Sequence, residues 1–384
     1  MNKKVFDYSV AEMRKKHYEE MINDLINSKR DVYLYGAGIY TNRLKAYFEK
    51  LNILVKGFVV DDVFLSPDMD GILAFSELMQ KDSIVLVYSV GGGYSDEFFK
   101  KISNLQKIVE NMDNSIFVVL SDYWMIDLGF VMCHEFIDLD YLNSNIDRFI
   151  NTYDLLEDEL SKNVMREYIY ASISKDATEL GRYGTNDEYD YDLSLLFSNL
   201  KEGVIVECGA YDGKSVRQMS EFLKNKYELI AMECDEDNYK ICCDNVNDYN
   251  NIKVYKLGVW DKKAKLELVQ SGDSSYLKEV YDEEGSNNSV DVIDIDSLIE
   301  AELISALAID VEGCELNALK GAKNAISRGV NIAVRVYHKN DDLITLPQYI
   351  QSLNKEYKFY LRFDRGATQC RTGYETTLYA ICSK

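Results

Sequence analysis

Proline is nearly missing from this chain: Pro67 and Pro347 are the only two in 384 residues. No Pro- or Ser-rich linker separates one part of the sequence from another, so closely packed domains are expected. Long apolar runs are also missing. The best stretches, such as residues 83–88 (SIVLVY), fall far short of the roughly 20 residues that cross a bilayer. Residues 1–7 hold no apolar signal core. A cytoplasmic protein without a membrane span is expected. Basic charge is in deficit, with 43 Lys and Arg against 65 Asp and Glu, a formal charge of −22. So acidic a surface repels phosphate backbones, so nucleic acid is not an expected partner, and solubility is the plain consequence. The eight cysteines include no C-x-x-C pair, which argues for free thiols and against structural zinc.

What is present centres on residues 204–213 (VIVECGAYDG). Residues 204–206 read as a short buried strand with Glu207 at its carboxyl end. Gly209 and Gly213 let the backbone turn tightly and approach a ligand, since neither carries a Cβ. Twenty residues after Gly213, the apolar run 229–232 ends in Glu233. Strand, glycine loop, helix, strand and acid is how an open α/β sheet grips an adenosine-containing cofactor, with the second acid accepting the ribose hydroxyls.

The rest of the chain is organised around two such sheets. A helix is expected over residues 4–28, then strands at 31–35, 54–60, 84–90 and 116–120 with helices between them. Residues 1–120 thus read as a smaller Rossmann-like α/β domain. Residues 121–200 read as helical, including one helix over 155–173, and join it to a second domain over 201–384. There, strands are expected at 204–208, 229–233, 252–257, 306–310, 331–337, 357–363 and 376–382. The last two leave no room for a crossover helix and should pair antiparallel. The fold class is therefore α/β: a parallel sheet with an antiparallel terminal strand, the outline of class I S-adenosylmethionine-dependent methyltransferases, preceded by the smaller domain. No internal repeat is visible.

A second constellation lies at residues 308–313 (AIDVEG). Asp310 and Glu312 are two apart and share a face if the chain stays extended. Gly313 breaks the strand, and Glu315 opens a helix over 316–327, where an acid also suits the helix dipole. His338 closes the strand 334–338 (VRVYH) at the same sheet edge, where ligand chemistry occurs in this architecture. Activating a hydroxyl needs either a base such as His338 or a divalent cation on oxygen ligands such as Asp310 and Glu312; the sequence leaves both open. In the first domain, Gly36 and Gly38 lack a third glycine, Thr41 standing in its place. Asp61 and Asp62 are candidates for a ribose there, against a scaffold without a ligand.

These motifs together resemble the FkbM family of S-adenosylmethionine-dependent methyltransferases, from about residue 150 onward. The residues that carry the likeness are 207–213 (ECGAYDG), 232–235 (MECD), 258–260 (GVW), Ser274 and Ser275, 309–313 (IDVEG), 337–339 (YHK) and 375–379 (ETTLY). The resemblance implies S-adenosylmethionine as cofactor, bound by Glu207, Gly209, Tyr211, Gly213, Glu233 and Gly258. It implies O-methylation of a sugar, nucleotide-linked sugar or related hydroxylated compound, with Asp310, Glu312 and His338 around the acceptor hydroxyl. Residues 31–90 resemble nucleotide-binding domains attached to sugar-modifying enzymes, which makes a nucleotide or nucleotide sugar the candidate ligand there, beside the scaffold without a ligand. The oligomeric state stays open. Two positions depart from the family: Ala308 stands where a lysine is usual, and Arg335 where the residue is usually small or apolar. A central-strand arginine is costly if uncompensated. It is expected near the strand end, paired with an acid or reaching an anionic acceptor. The rival expectation, raised by Ala308 and the imperfect Gly36 loop, is a non-catalytic nucleotide- or sugar-binding protein. An oxidoreductase is a third, opposed by Thr41.

Overall fold

The computed structural model describes residues 5–66, 69–89, 96–120, 135–184, 189–271, 274–278, 288–363 and 375–382. Val90, the glycine run 91–93, Pro67 and the first part of the 121–200 connector lie outside the described residues.

The first sheet is parallel throughout. It comprises β1 (Asp31–Tyr35), β2 (Val55–Val60), β3 (Ile72–Ala74), β4 (Ile84–Ser89) and β5 (Ile116–Leu120), in the order β3-β2-β1-β4-β5. Only β3 was not expected; at three residues it is too short to display alternation. The opening helix is Tyr8–Ile26. It packs on the helix Glu159–Ser174, with Arg14 Nη1 2.6 Å from Glu167 Oε2 and Tyr170 Oη accepting from the Asp7 N–H at 2.7 Å. That latter helix does not run unbroken from 155. The preceding helix ends at Leu155, Leu156 bridges to Phe359, and Asp158 caps the new start by accepting from Ser161 N.

The second sheet carries β6 (Val204–Cys208), β7 (Glu228–Met232), β8 (Ile252–Tyr255), β13 (Ile304–Ile309), β14 (Asn331–Arg335), β15 (Tyr357–Phe363) and β16 (Thr376–Cys382). Its order is β15-β16-β14-β13-β6-β7-β8, with β16 antiparallel to both its neighbours and the rest parallel. The antiparallel strand thus fills an interior slot, and β15 is the edge. Strands covered on both faces need apolar residues at every position, and β13 (ISALAI) and β16 (TTLYAIC) are buried throughout. One face packs the helices Glu159–Ser174, Glu315–Gly321 and Asp342–Leu353; the other packs Lys214–Phe222 and Glu236–Val246. The helix expected over 316–327 divides at Ala322 into Glu315–Gly321 and Lys323–Arg328.

A third, four-stranded sheet was not expected. β9 (Gly258–Val259), β10 (Ala264–Ser271), β11 (Ser274–Lys278) and β12 (Ser289–Ile293) assemble in the order β11-β10-β12-β9. Its Leu266 and Val292 pack with Trp260 and Cys314, which places it against the loop after β13. Among the described residues no helix is long and apolar enough to cross a membrane.

Candidate functional site

The site lies at the carboxyl ends of β6, β7, β13 and β14, where consecutive crossovers leave a crevice. Gly209 follows β6 with φ +85°, and a Cβ there would sit 1.9 Å from Asp310 O. The tips of β6 and β13 therefore meet backbone to backbone, tied by Asp310 N donating to Cys208 O at 2.9 Å. Gly213 starts the helix Lys214–Phe222 with φ +75°, and a Cβ there would press on Cys242 Sγ at 2.9 Å. Between them Tyr211 is exposed and left-handed, φ +49°.

Glu207 is 1% exposed. The Ser215 hydroxyl donates to its Oε1, while Oε2 is buried with no hydrogen-bond partner. Burial pushes its pKa up to about 8; nearby Asp190 and Asp310 add to this and the Ser215 bond opposes it. Glu233, just past β7, accepts from Tyr211 N on Oε2 at 2.9 Å and from Asp235 N on Oε1 at 2.8 Å. Each oxygen keeps a second lone pair for a hydroxyl. Burial raises this carboxyl too, against those backbone bonds. Gly258 sits in β9, where a Cβ would meet Val292 Cγ1 at 2.9 Å and Leu277 Cδ1 at 3.1 Å; packing of the small sheet accounts for it, with Cys234 alongside at 3.5 Å.

The second half of the site departs from the expected extended strand. β13 ends at Ile309, and Glu312 is itself left-handed, φ +51°, ahead of Gly313 at φ +91°. Asp310 and Glu312 converge because the chain turns, not because alternate residues of a strand share a face. His338 likewise lies three residues past the end of β14 instead of within it. The turn nevertheless gathers all three: His338 Nε2 is 3.3 Å from Glu312 Oε2 and 3.8 Å from Asp310 Oδ1.

Glu315 and His338 are each 0% exposed, with Glu315 Oε1 2.9 Å from His338 Nδ1. The same Oε1 accepts from Val311 N at 3.1 Å and Gly313 N at 3.3 Å. Burial alone would lower the imidazole pKa, but Glu315 and Glu312 outweigh it and hold His338 well above its ordinary value. Burial would raise Glu315, yet His338 holds it below the usual range. Asp310 is raised to about 6 by burial, with Arg335 and His338 pulling against Glu312 and Glu315. Asp342, also buried, accepts from Lys339 N at 2.8 Å and is raised well above normal, first by burial and then by Glu315.

Arg335 is the last residue of β14 and 1% exposed. Its Nε donates to Asp310 Oδ2 at 3.4 Å, Nη1 to Thr377 Oγ1 at 2.5 Å and Nη2 to Asp190 O at 3.1 Å. The guanidinium also lies 4.6 Å from the Tyr191 ring centroid and 3.9 Å from Glu375 Oε2. The expected strand-end pairing with an acid is thus met inside the protein. Sequence reasoning missed the rest of this frame: Glu315 as the partner of His338, and Asp342, Ser215 and Thr377. A glutamate opening a helix carries no local sign that it will be buried.

At the first sheet, Gly36 follows β1 with φ +107°, but both candidate acids are engaged. Asp61 accepts from the Tyr35 hydroxyl and from Lys101 Nζ at 2.6 Å. Asp62 Oδ1 accepts from Ser76 N at 2.9 Å.

Residues 207–359 match the family model described as the Methyltransferase FkbM domain. The solved structure of Methyltransferase FkbM from Methylobacillus flagellatus KT is similar at 19% identity, covering 94% of this chain and 93% of that one with a TM-score of 0.65. An rRNA methylase from Streptococcus thermophilus is 14% identical over 50% of this chain and 94% of that one, TM-score 0.31. The precorrin-6y C5,15-methyltransferase of Geobacter metallireducens GS-15 is 14% identical over 49% and 83%, TM-score 0.30. Neither of these partial likenesses bears on function. No curated protein matches the chain by sequence. The stretch that matches the FkbM methyltransferase model runs from the end of β6 into β15 of the second sheet, and the likeness to the Methylobacillus protein is one of fold across nearly the whole chain.

Proposed function

We propose that this chain is an S-adenosylmethionine-dependent O-methyltransferase acting on a hydroxyl of a sugar, nucleotide-linked sugar or related glycan or natural product. We divide it into an N-terminal unit (1–120), a helical connector (121–200) and the methyltransferase domain (201–384). One observation carries the reading. A buried carboxylate with a partnerless oxygen, Glu207, and a cluster of titratable side chains, Asp310, Glu312 and His338, flank one crevice at adjacent strand tips.

The residues present fit the cofactor on two features of the chain. Glu207 Oε2 has no donor of its own, which suits a cationic ammonium. Gly209, whose missing Cβ lets the loop close against Asp310 O, sets the path of the 209–213 backbone along which the cofactor would lie. Glu207 would hold the ammonium and Glu233 the ribose hydroxyls, with the backbone of 209–213 between them. Bound there, the cofactor supplies a methyl group on a sulfonium, whose departure needs no acid.

The chain's own task is to orient the acceptor and remove its proton. A sugar hydroxyl is a weak acid, so its proton has to pass to the cluster of Asp310, Glu312 and His338 at the mouth. Glu315 fixes the imidazole and Arg335 fixes Asp310, so neither has to reorganise as charge develops.

Calorimetry with S-adenosylhomocysteine tests the cofactor, and absence of binding at millimolar ligand would refute the reading. A methyl-release assay over a panel of nucleotide sugars tests the chemistry. Turnover that survives both His338→Ala and Asp310→Ala would remove these residues from it.

A further inference from the structure

We infer that Asp310, Glu312 and His338 are the protein ligands of a divalent cation at the acceptor side of the crevice. The inference deepens the proposed function and rests on that reading of the crevice.

The first support is the geometry of the donor atoms. His338 Nε2 stands 3.3 Å from Glu312 Oε2 and 3.8 Å from Asp310 Oδ1, and the three ligand atoms all lie within 4.8 Å of one another. Ligands about 2.1 Å from a shared cation sit roughly 3.0–3.4 Å apart, so small side-chain movements suffice to close the set.

The second support is a buried atom. Asp310 Oδ1 is shielded from solvent and accepts no hydrogen bond, although Arg335 engages the other oxygen of the same carboxylate. Burying such an atom is costly unless something positive reaches it. A proton on Nε2 can reach Glu312 Oε2 at 3.3 Å, but 3.8 Å to Asp310 Oδ1 is too long for a hydrogen bond. One cation contacts all three atoms.

The third support is how the ligands are aimed. Glu315 takes the Nδ1 side of His338, leaving Nε2 toward the acids; a carboxylate behind the ring is the usual companion of a metal-bound histidine. Arg335 aims Asp310 from the opposite side. Glu312 is delivered by a left-handed backbone conformation, a strain that clusters at functional positions. Two carboxylates and an imidazole suit a Mg²⁺- or Mn²⁺-type ion, with the remaining positions open to water or to hydroxyls of the acceptor.

The test is manganese binding to the full chain, followed by electron paramagnetic resonance, beside calorimetry with S-adenosylhomocysteine on the same preparation. One tightly held Mn²⁺ per chain with a nitrogen coupling from histidine is expected in the unmodified protein. Asp310→Asn and His338→Gln should weaken Mn²⁺ at least tenfold, and Glu315→Gln about 10–100-fold. The spectrum of the unmodified protein alone decides the case if a variant does not fold. S-adenosylhomocysteine binding without manganese binding, or manganese without nitrogen coupling, overturns the cation site and leaves the proposed function standing. Failure of S-adenosylhomocysteine to bind while manganese binds with nitrogen coupling overturns the cofactor reading and supports the cation site.

Discussion

Glu315 Oε1 lies 2.9 Å from His338 Nδ1, and neither side chain reaches solvent. The pair joins the first residue of a helix to a loop beyond the neighbouring strand, so the imidazole's orientation is set by packing of the sheet and not by the loop alone. Glu315→Gln keeps the shape and removes the charge. We expect kcat to fall about 10–100-fold with S-adenosylhomocysteine affinity unchanged, since Glu207 and Glu233 belong to the tips of β6 and β7 while Glu315 opens the helix after β13. Equal loss of both would mark Glu315 as a general support of the fold.

Glu207 should make cofactor binding depend on pH. Its folded pKa is raised to about 8 by burial. Without ligand, the neutral form is favoured in the fold. The resulting stability is fully present below the ordinary carboxyl range and lost as pH rises to about 8. A cationic ligand favours the ionised form instead. Affinity for S-adenosylhomocysteine should therefore climb up to about tenfold per unit between roughly pH 6 and 8, then level off. Glu207→Gln should bind weakly with a flat profile, and should melt higher than the parent at pH 9 but not at pH 5. Titration calorimetry and thermal scans across that range decide both points.

Arg335→Met removes one cation from a site where Asp310 and Glu375 stay behind. Loss of one partner from a buried charge pair costs about 3–5 kcal/mol. Denaturant unfolding should register that loss, and Arg335→Lys should recover only part, because an ammonium cannot serve Asp310, Thr377 and Asp190 at once. Unchanged midpoints would mean the fork adds nothing to stability.

Two glycine-to-alanine changes should behave oppositely. At Gly209, positive φ and a 1.9 Å approach to Asp310 O leave no room for a methyl group. We expect at least ~2 kcal/mol of destabilisation and lost cofactor binding. At Gly38, φ is −84° and nothing lies within 4 Å of the added atom. Gly38→Ala should leave melting and S-adenosylhomocysteine binding almost unchanged.

The parts of this protein most legible in its sequence are the strands covered on both faces. β6, β7, β13 and β14 each hold an apolar run (VIV, LIAM, ALAI and IAV), and Glu207, Glu233 and Asp310 stand out at the ends of the first three. The small sheet was hidden because β10 is covered on one face only, so Leu266 and Leu268 stand among Lys265 and Glu267. The identities of Asp310, Glu312 and His338 pointed to one site, but their convergence depends on the left-handed turn at Glu312, which Gly313 announces only in part. Glu315 was obscured by an ordinary alternative, since acids commonly begin helices. Its burial comes from the packing of the helix Asp342–Leu353 and the 338–342 loop, contacts distant in sequence and silent in local pattern.

β16 occupies the slot between β14 and β15, and its Thr377 receives one arm of the Arg335 fork. Of this sheet's strands it is also the last in chain order. During synthesis, β14 therefore waits with one edge uncovered and Arg335 short of a partner until residues 376–382 have left the ribosome. One element thus completes both the β14 edge and the guanidinium fork that holds Asp310, which couples closure of the sheet to the aim of that carboxylate.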